Sequence, residues 1–285
     1  MKLYSIETGN LKLDGGAMFG VVPKVIWDKL YPADENNLCN WAMRCLLVET
    51  DDNRKVLIDT GMGDKQGEKF FGHYYPNGDA TLMSSLEKIG FKAEDITDVI
   101  ITHLHFDHVG GAVAYDDEGE LAPAFPNATY HIGKAHWLWA ETANRREKAS
   151  FLPENYIPLK EHNVLNMVEQ EGELMPGISV KFYNGHTEGQ LIPLVHFNGR
   201  TIVYGADLFP STAHLPMPYI MGYDTRPLIT LQDKEQFFSE ALAGDYILFF
   251  EHDLYNECCT LQQTPKGVRH KDTFTLNEFV SQKIN

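Results

Sequence analysis

Thr102-His103-Leu104-His105-Phe106-Asp107-His108-Val109-Gly110-Gly111 places three imidazoles and a carboxylate within six residues. The run follows Val99-Ile100-Ile101, a short apolar stretch that reads as a buried strand. A strand end is rigid, so the polar residues after it can be aimed at one point. Neutral imidazole and carboxylate are the ligand set of Zn²⁺, with Mn²⁺ or Fe²⁺ possible. A metal site of this kind requires further ligands downstream, whereas a His-rich surface loop does not.

The chain supplies them. Candidate strands at 178–182, 201–206 and 246–250 are followed by His186, Asp207 and His252. Together with 103–108 this makes five His and two Asp at strand ends. Seven ligands exceed one tetrahedral ion and suit two, one with three His, one with two His and an Asp, joined by a further carboxylate. His103 and His105 alternate onto one side and, with His186, are assigned to the first ion. Asp107, His108 and His252 are assigned to the second, and Asp207 bridges. Asp59, at the end of strand 55–59, either caps its turn or fixes a ligand His from behind.

A loop at 208–230 follows Asp207 and would overhang the ions, which makes His214, Phe209 and Tyr223 candidates for contact with substrate. Met18, Phe19 and Trp27 are candidates for an apolar wall nearby. His73, His131, His136, His162, His196 and His270 lie away from these stations and read as structural or exposed.

Composition narrows the partners. The 285 residues carry 24 basic and 40 acidic side chains, a formal charge of -16. A polyanion needs a basic footprint, so nucleic acid is not expected as a partner. The start of the chain reads as strand Leu3–Ile6 rather than a signal peptide, and no apolar run is long enough for a membrane span. Cys39, Cys45, Cys258 and Cys259 show no CxxC spacing, so free thiols and a cytoplasmic setting are expected.

No linker, repeat or low-complexity segment divides the chain, and one domain over 1–285 is expected. The pattern predicts a hairpin of 44–49 with 55–59 around Asp51-Asp52-Asn53, and a helix capped by Asp79 and stopped by Gly90. It predicts strands at 98–102 and 129–132, a helix over 134–148, and irregular chain over 149–172. Asn198-Gly199 joins two strands as a type I′ turn. A last helix starts at Asp233 and ends at Gly244.

With these residues in place, the chain resembles the metallo-β-lactamase superfamily. THLHFDHVGG matches its HxHxDH signature. LIDTG at 57–61, GHT at 185–187, YGAD at 204–207 and FFEHD at 249–253 match its other stations in order, over roughly 40–255. The run Asp14–Lys24 is similar to the branch containing quorum-quenching N-acyl-homoserine lactonases and methyl parathion hydrolase-like enzymes. The resemblance implies an α/β fold, a four-layer αββα sandwich of two mixed sheets flanked by helices, with a dinuclear site at one sheet edge. It also implies a homodimer.

Two positions depart from the pattern. Gln190 stands where many relatives have a second His after GHT. Pro210 stands three residues after Asp207, where lactonases of the superfamily carry a tyrosine that hydrogen-bonds the lactone carbonyl; His214, Tyr219 and Tyr223 are possible substitutes.

The implied activity is a dinuclear metal-dependent hydrolase of a small molecule, opening lactones of the N-acyl-homoserine type or cleaving esters. Two divalent ions, zinc expected with manganese or iron as alternatives, would lower the pKa of a shared water to give a bridging hydroxide. Asp107 would carry the proton to the leaving alkoxide. Phosphotriester or phosphodiester hydrolysis on the same site is the alternative. A non-catalytic metal-binding protein is the third class, disfavoured because the ligand set leaves room for water. The ~30 residues after His252 are too few for a glutathione-binding domain.

Overall fold

The computed structural model describes residues 1–281. In chain order its strands are β1 (Lys2–Asp14), β2 (Leu38–Glu49), β3 (Lys55–Ile58), β4 (Asp98–Ile100), β5 (Val113–Tyr115), β6 (Leu121–Pro123), β7 (Thr129–Gly133) and β8 (Leu165–Val168). They continue as β9 (Gly172–Met175), β10 (Ile178–Tyr183), β11 (Gln190–Phe197), β12 (Arg200–Tyr204), β13 (Ile247–Phe249), β14 (Cys258–Thr264) and β15 (Gly267–Phe274). One sheet runs β1-β2-β3-β4-β7-β8 and a second runs β15-β14-β13-β12-β11-β10-β9. Both are mixed. The first is antiparallel from β1 to β3 and parallel from β3 to β8. The second is antiparallel except where β12 meets β13.

Period-two alternation sets the layers. Leu46 and Val48 of β2, Val56 and Ile58 of β3 and Ile100 of β4 share a core with Val180, Leu194, Ile202 and Leu248 of the second sheet. Their neighbours Cys45, Leu47, Leu57 and Val99 point the other way, onto Leu82 and Leu86 of helix Leu82–Lys88 and Trp137 of helix Lys134–Glu141. Helix Pro227–Ala243 brings Phe237, Phe238 and Ala241 to the second sheet. Helix, sheet, sheet and helix therefore form the four layers of the αββα sandwich. A one-residue slip of β2 would exchange the two apolar faces, so burial on both sides fixes its register.

Several elements differ from the sequence pattern. The first predicted helix begins at Leu82 with Thr81, not Asp79, as its cap, because Thr81 and Ser84 form a reciprocal capping box. The helix expected over 134–148 stops at Glu141. There the Asn144 side chain accepts from the amides of Arg146 and Glu147, a local turn that competes with the helical ladder. The span 149–172 contains helix Ile157–Glu161 and strand β8. The last long helix starts at Pro227, whose missing N–H costs nothing in the first turn. Asn198 and Gly199 have φ of 49° and 77°, as a type I′ turn requires.

Strain collects at the strand ends that carry the polar residues. Asp59 after β3 has φ 57°, and Ala206 after β12 has φ 39°, both in the left-handed region that side chains avoid. Gly110 and Gly111 are required by close approach. A Cβ on Gly110 would lie 1.9 Å from the carbonyl oxygen of Met62, and one on Gly111 would lie 2.3 Å from that of Thr60. The 59–63 turn therefore seats directly on the end of the His-rich run, with the Thr60 amide donating to the His108 carbonyl at 2.8 Å.

Candidate metal centre

The seven residues nominated from sequence come together where β4, β10, β12 and β13 end. Single ligand atoms of His103, His105, His186 and Asp207 lie within 4.8 Å of one another, as do those of Asp107, His108 and His252. Asp207 stands between the two groups. Its Oδ2 is 3.0 Å from His186 Nε2 and 3.8 Å from His103 Nε2, while its Oδ1 is 3.1 Å from His252 Nε2. Asp107 Oδ2 is 3.9 Å from both His108 Nε2 and His252 Nε2.

The outer nitrogen of each imidazole is held, which decides where its lone pair points. Asp59 Oδ1 accepts from the Thr102 amide at 2.8 Å, and Oδ2 from the Thr102 hydroxyl at 2.7 Å. That hydroxyl has donated its hydrogen, so it accepts from His103 Nδ1–H at 3.0 Å and leaves His103 Nε2 with its lone pair inward. Asp59 Oδ2 also accepts from His108 Nδ1 at 3.0 Å. His186 Nδ1 donates to Asp224 Oδ1 at 2.9 Å, and His252 Nδ1 to the Ala42 carbonyl at 2.8 Å. His105 is reversed: its Nε2 donates to Glu147 Oε1 at 3.0 Å, so Nδ1 faces inward. All five rings thus present a lone pair to one small volume, with the outer-shell support that metal-binding imidazoles have.

These residues fit a pair of divalent ions by their own chemistry. His103 Nε2 is buried with no hydrogen-bond partner among the described residues. His105 Nδ1 and His186 Nε2 approach to 3.1 Å, and His108 Nε2 and His252 Nε2 to 3.2 Å. Two inward lone pairs at such separations repel unless a proton or a cation lies between them. Burial works against the charged form of His186, but Asp207 and Asp224 overturn it and raise this imidazole to about 10. Burial opposes charge on His252 too, and Asp207 lifts it to about 9. The basin attracts positive charge.

Residues not nominated from sequence complete this support. Glu147 also accepts from Trp139 Nε1 at 2.7 Å and Asn144 Nδ2 at 3.2 Å. Burial pushes its carboxyl up, but the bond to His105 prevails and lowers it to about 2. Asp224 is steadied by the Thr230 hydroxyl at 2.8 Å. Glu251 Oε2 comes within 2.9 Å of His108 Nδ1, and burial raises Glu251 to about 7. His136 Nε2 accepts from the Leu104 amide at 2.8 Å, fixing the backbone between His103 and His105. Of these, only Glu251 had a sequence signal, as the neighbour of His252. Glu147 and Asp224 lie in irregular chain with no spacing rule.

A cavity of about 250 Å³ opens onto the cluster. His105, Asp107, His186, Asp207 and His252 form its floor, and Leu13, Met18, Tyr74, Phe106, Met221 and Tyr223 give it apolar and aromatic sides. Of the three residues considered for contact with substrate, Tyr223 lines the cavity, while His214 and Phe209 do not. Phe209 is fully buried against Phe237 and Phe238. His214 stacks on Phe19 at 4.7 Å. Its Nε2 donates to the Met18 carbonyl at 2.9 Å and its Nδ1 accepts from Ser211 at 2.8 Å. Both nitrogens are committed, so His214 braces the Met18 wall from behind. Phe19 and Trp27 stack at 5.0 Å in the same buried aromatic cluster. Tyr219 packs edge-on to Phe19 rather than bordering the cavity, which leaves Tyr223 as the nominated tyrosine within reach.

Among the described residues, no helix is long and apolar enough to cross a membrane, and all four cysteines are buried and unpaired.

Comparison with known proteins agrees with this geometry. The sequence profile of the metallo-beta-lactamase superfamily matches residues 44–252. An N-acyl homoserine lactonase of Bacillus cereus is 25% identical over 269 residues, covering 90% of this chain and 94% of the relative. The crystal structure of a probable metal-dependent hydrolase from Staphylococcus aureus superposes with a TM-score of 0.85 at 28% identity, covering 96% of this chain and 98% of that one. The dizinc quorum-quenching lactonase AidC, with a product bound, superposes with a TM-score of 0.79 at 23% identity, covering 96% and 95%.

Proposed function

This chain belongs to the metallo-beta-lactamase superfamily and is a metal-dependent hydrolase, and from that premise we propose that it opens lactones of the N-acyl-homoserine type or cleaves related esters. The observation that carries the reading is the cavity, whose floor is the His/Asp cluster and whose sides are mostly apolar. An acyl-bearing, uncharged substrate suits those sides, and the charge of -16 disfavours a polyanion. The lactonase relative extends over nine-tenths of the chain, which supports the same class.

In this reading His103, His105 and His186 would hold one divalent ion and Asp107, His108 and His252 the other, with Asp207, which stands between the two groups, available to both. Bound there, such ions supply Lewis acidity and lower the pKa of a water to near neutrality. The protein supplies the remainder. Asp59, Glu147 and Asp224 keep the rings turned so that lone pairs face the ions. Asp107 lies at the cavity floor, where Oδ2 can take the proton of the attacking water and pass it to the departing alkoxide. The Tyr223 phenol borders the cavity and can donate to the substrate carbonyl in place of the tyrosine that Pro210 displaces.

The aromatic sides Tyr74, Phe106 and Tyr223 favour a second reading, hydrolysis of aryl phosphotriesters on the same site. The deciding assay offers the metal-loaded protein N-acyl-homoserine lactones of several chain lengths, aryl esters and phosphotriesters. Acid release from lactones is expected. Turnover of phosphotriesters with none of lactones or esters would replace the first reading with the second.

A further inference from the structure

We propose that Lys234 is a positioning residue for substrate specificity, tying down from beneath the loop that forms one side of the cavity. This rests on the reading above for which substrates are offered, not for how Lys234 is placed. Lys234 sits on the second turn of helix Pro227–Ala243, away from the metal cluster, and is 1% exposed. Its Nζ donates to the carbonyls of His214 at 2.7 Å, Pro216 at 3.0 Å and Tyr219 at 3.2 Å. Burial pushes Lys234 down to about 7, but three carbonyl acceptors take all three hydrogens of the ammonium and favour the charged form. Among the described residues no carboxylate forms an ion pair with it, and it stands 5.8 Å over the face of the Phe209 ring. A buried cation is retained at such a position when its hydrogen bonds organise something.

What they organise is the loop that returns over the site. Beyond Tyr219 come Met221, Gly222 and Tyr223, all at the cavity. The loop is tied at two further points: Gly222 donates its amide to the Ala17 carbonyl at 2.7 Å, and Asp224 accepts from His186 and Thr230. Lys234 closes the base of the span. The preceding residue of the same helix is Asp233, whose Oδ2 accepts from the amides of Asn184 at 2.9 Å and Gly185 at 2.8 Å, the segment leading into His186. Adjacent residues of one helix thus hold both the segment before His186 and the loop that forms one cavity side. Releasing the ammonium frees three carbonyls at the base while the Asp224 tie to His186 remains. The distance of Met221 and Tyr223 from the floor then varies, and the bound acyl chain senses that distance.

The test compares full-length K234M and K234R with the parent protein, all metal-loaded, on N-butanoyl- and N-decanoyl-homoserine lactone. Bound metal is measured on each sample. Expected for K234M is a KM for the decanoyl substrate raised on the order of tenfold, with kcat on the butanoyl substrate and bound metal within about twofold of the parent. K234R, which keeps donors for the same carbonyls, should recover part of the KM. Amide hydrogen exchange over 214–223 should be faster in K234M, a readout that needs no substrate. Equal losses on both substrates, or unchanged KM and unchanged exchange, overturn the proposal. If K234M does not fold, K234R decides alone: its KM must shift for the decanoyl substrate more than for the butanoyl, and an identical response on both refutes the role. A parent protein inactive on both lactones refutes the lactone reading instead, and the exchange measurement still decides Lys234.

Discussion

Glu147 Oε1 lies 3.0 Å from His105 Nε2, and this one bond turns His105 around so that Nδ1, not Nε2, faces His186. The two residues are 42 positions apart and meet because the chain breaks helix at Glu141 and turns at Asn144. The bond is buried, and Glu147 is held ionised by it. An imidazole whose orientation depends on one carboxylate is vulnerable at that carboxylate.

E147Q should therefore weaken binding of the ion assigned to His103, His105 and His186 by roughly 10–100-fold, the usual cost of removing an outer-shell partner. Competition with a chelating dye measures it. Equal affinity in the variant and the parent would show that Glu147 does not orient the ring.

D107N should reduce kcat by at least about a hundredfold, as loss of a general acid does, while most of the metal remains bound. The amide keeps an oxygen for coordination but cannot carry a proton. Steady-state kinetics with metal analysis on the same sample checks this, and unchanged turnover would remove Asp107 from the proton path.

Metal loading should release protons. In the metal-free fold His186 is raised to about 10 and His252 to about 9, so at pH 7 both carry a proton that an incoming ion must displace. With His108 also raised, on the order of two to three protons per chain should appear. Apparent affinity then rises with pH up to those values and falls as the solution is acidified. Calorimetric titrations at pH 7 in buffers of different ionisation enthalpy count the protons, and heats independent of buffer would contradict the picture.

Y223F should lower kcat/KM for lactones on the order of tenfold or more, because one donor to the developing oxyanion is lost from the cavity side. The phenol is the only polar group removed, so metal content and thermal stability should stay as in the parent. An unaltered kcat/KM would assign the carbonyl contact elsewhere.

G110A tests the close seating of the 59–63 turn on the His-rich run. Its Cβ would lie 1.9 Å from the Met62 carbonyl oxygen, and backbone cannot yield as a side chain tip can. Denaturant unfolding should show a loss of about 1–3 kcal/mol, the scale of overpacking in a core, with weaker metal retention because His108 moves with the turn. A stability equal to the parent would mean the turn shifts freely.

The sequence by itself nominated the seven residues that the fold gathers into one cluster. His103, His105, Asp107, His108, His186, Asp207 and His252 each follow an apolar strand, and a short unbroken apolar run such as Val99-Ile100-Ile101 is enough to mark a strand buried on both faces. Local rules located the hairpin at Asn198-Gly199 and the helix end at Gly244 for the same reason: a turn or a cap is decided by a few adjacent residues. Tertiary structure alone decided which nitrogen of each ring faces inward, since that depends on partners far along the chain: Glu147 for His105, Asp224 for His186, the Ala42 carbonyl for His252. It also decided that His214 and Phe209 turn into the core while Tyr223 borders the cavity. All three lie in one irregular loop, where no period assigns a face. The direction of each side chain is set by what the loop packs against: Phe19, the Phe237–Phe238 pair and the ammonium of Lys234.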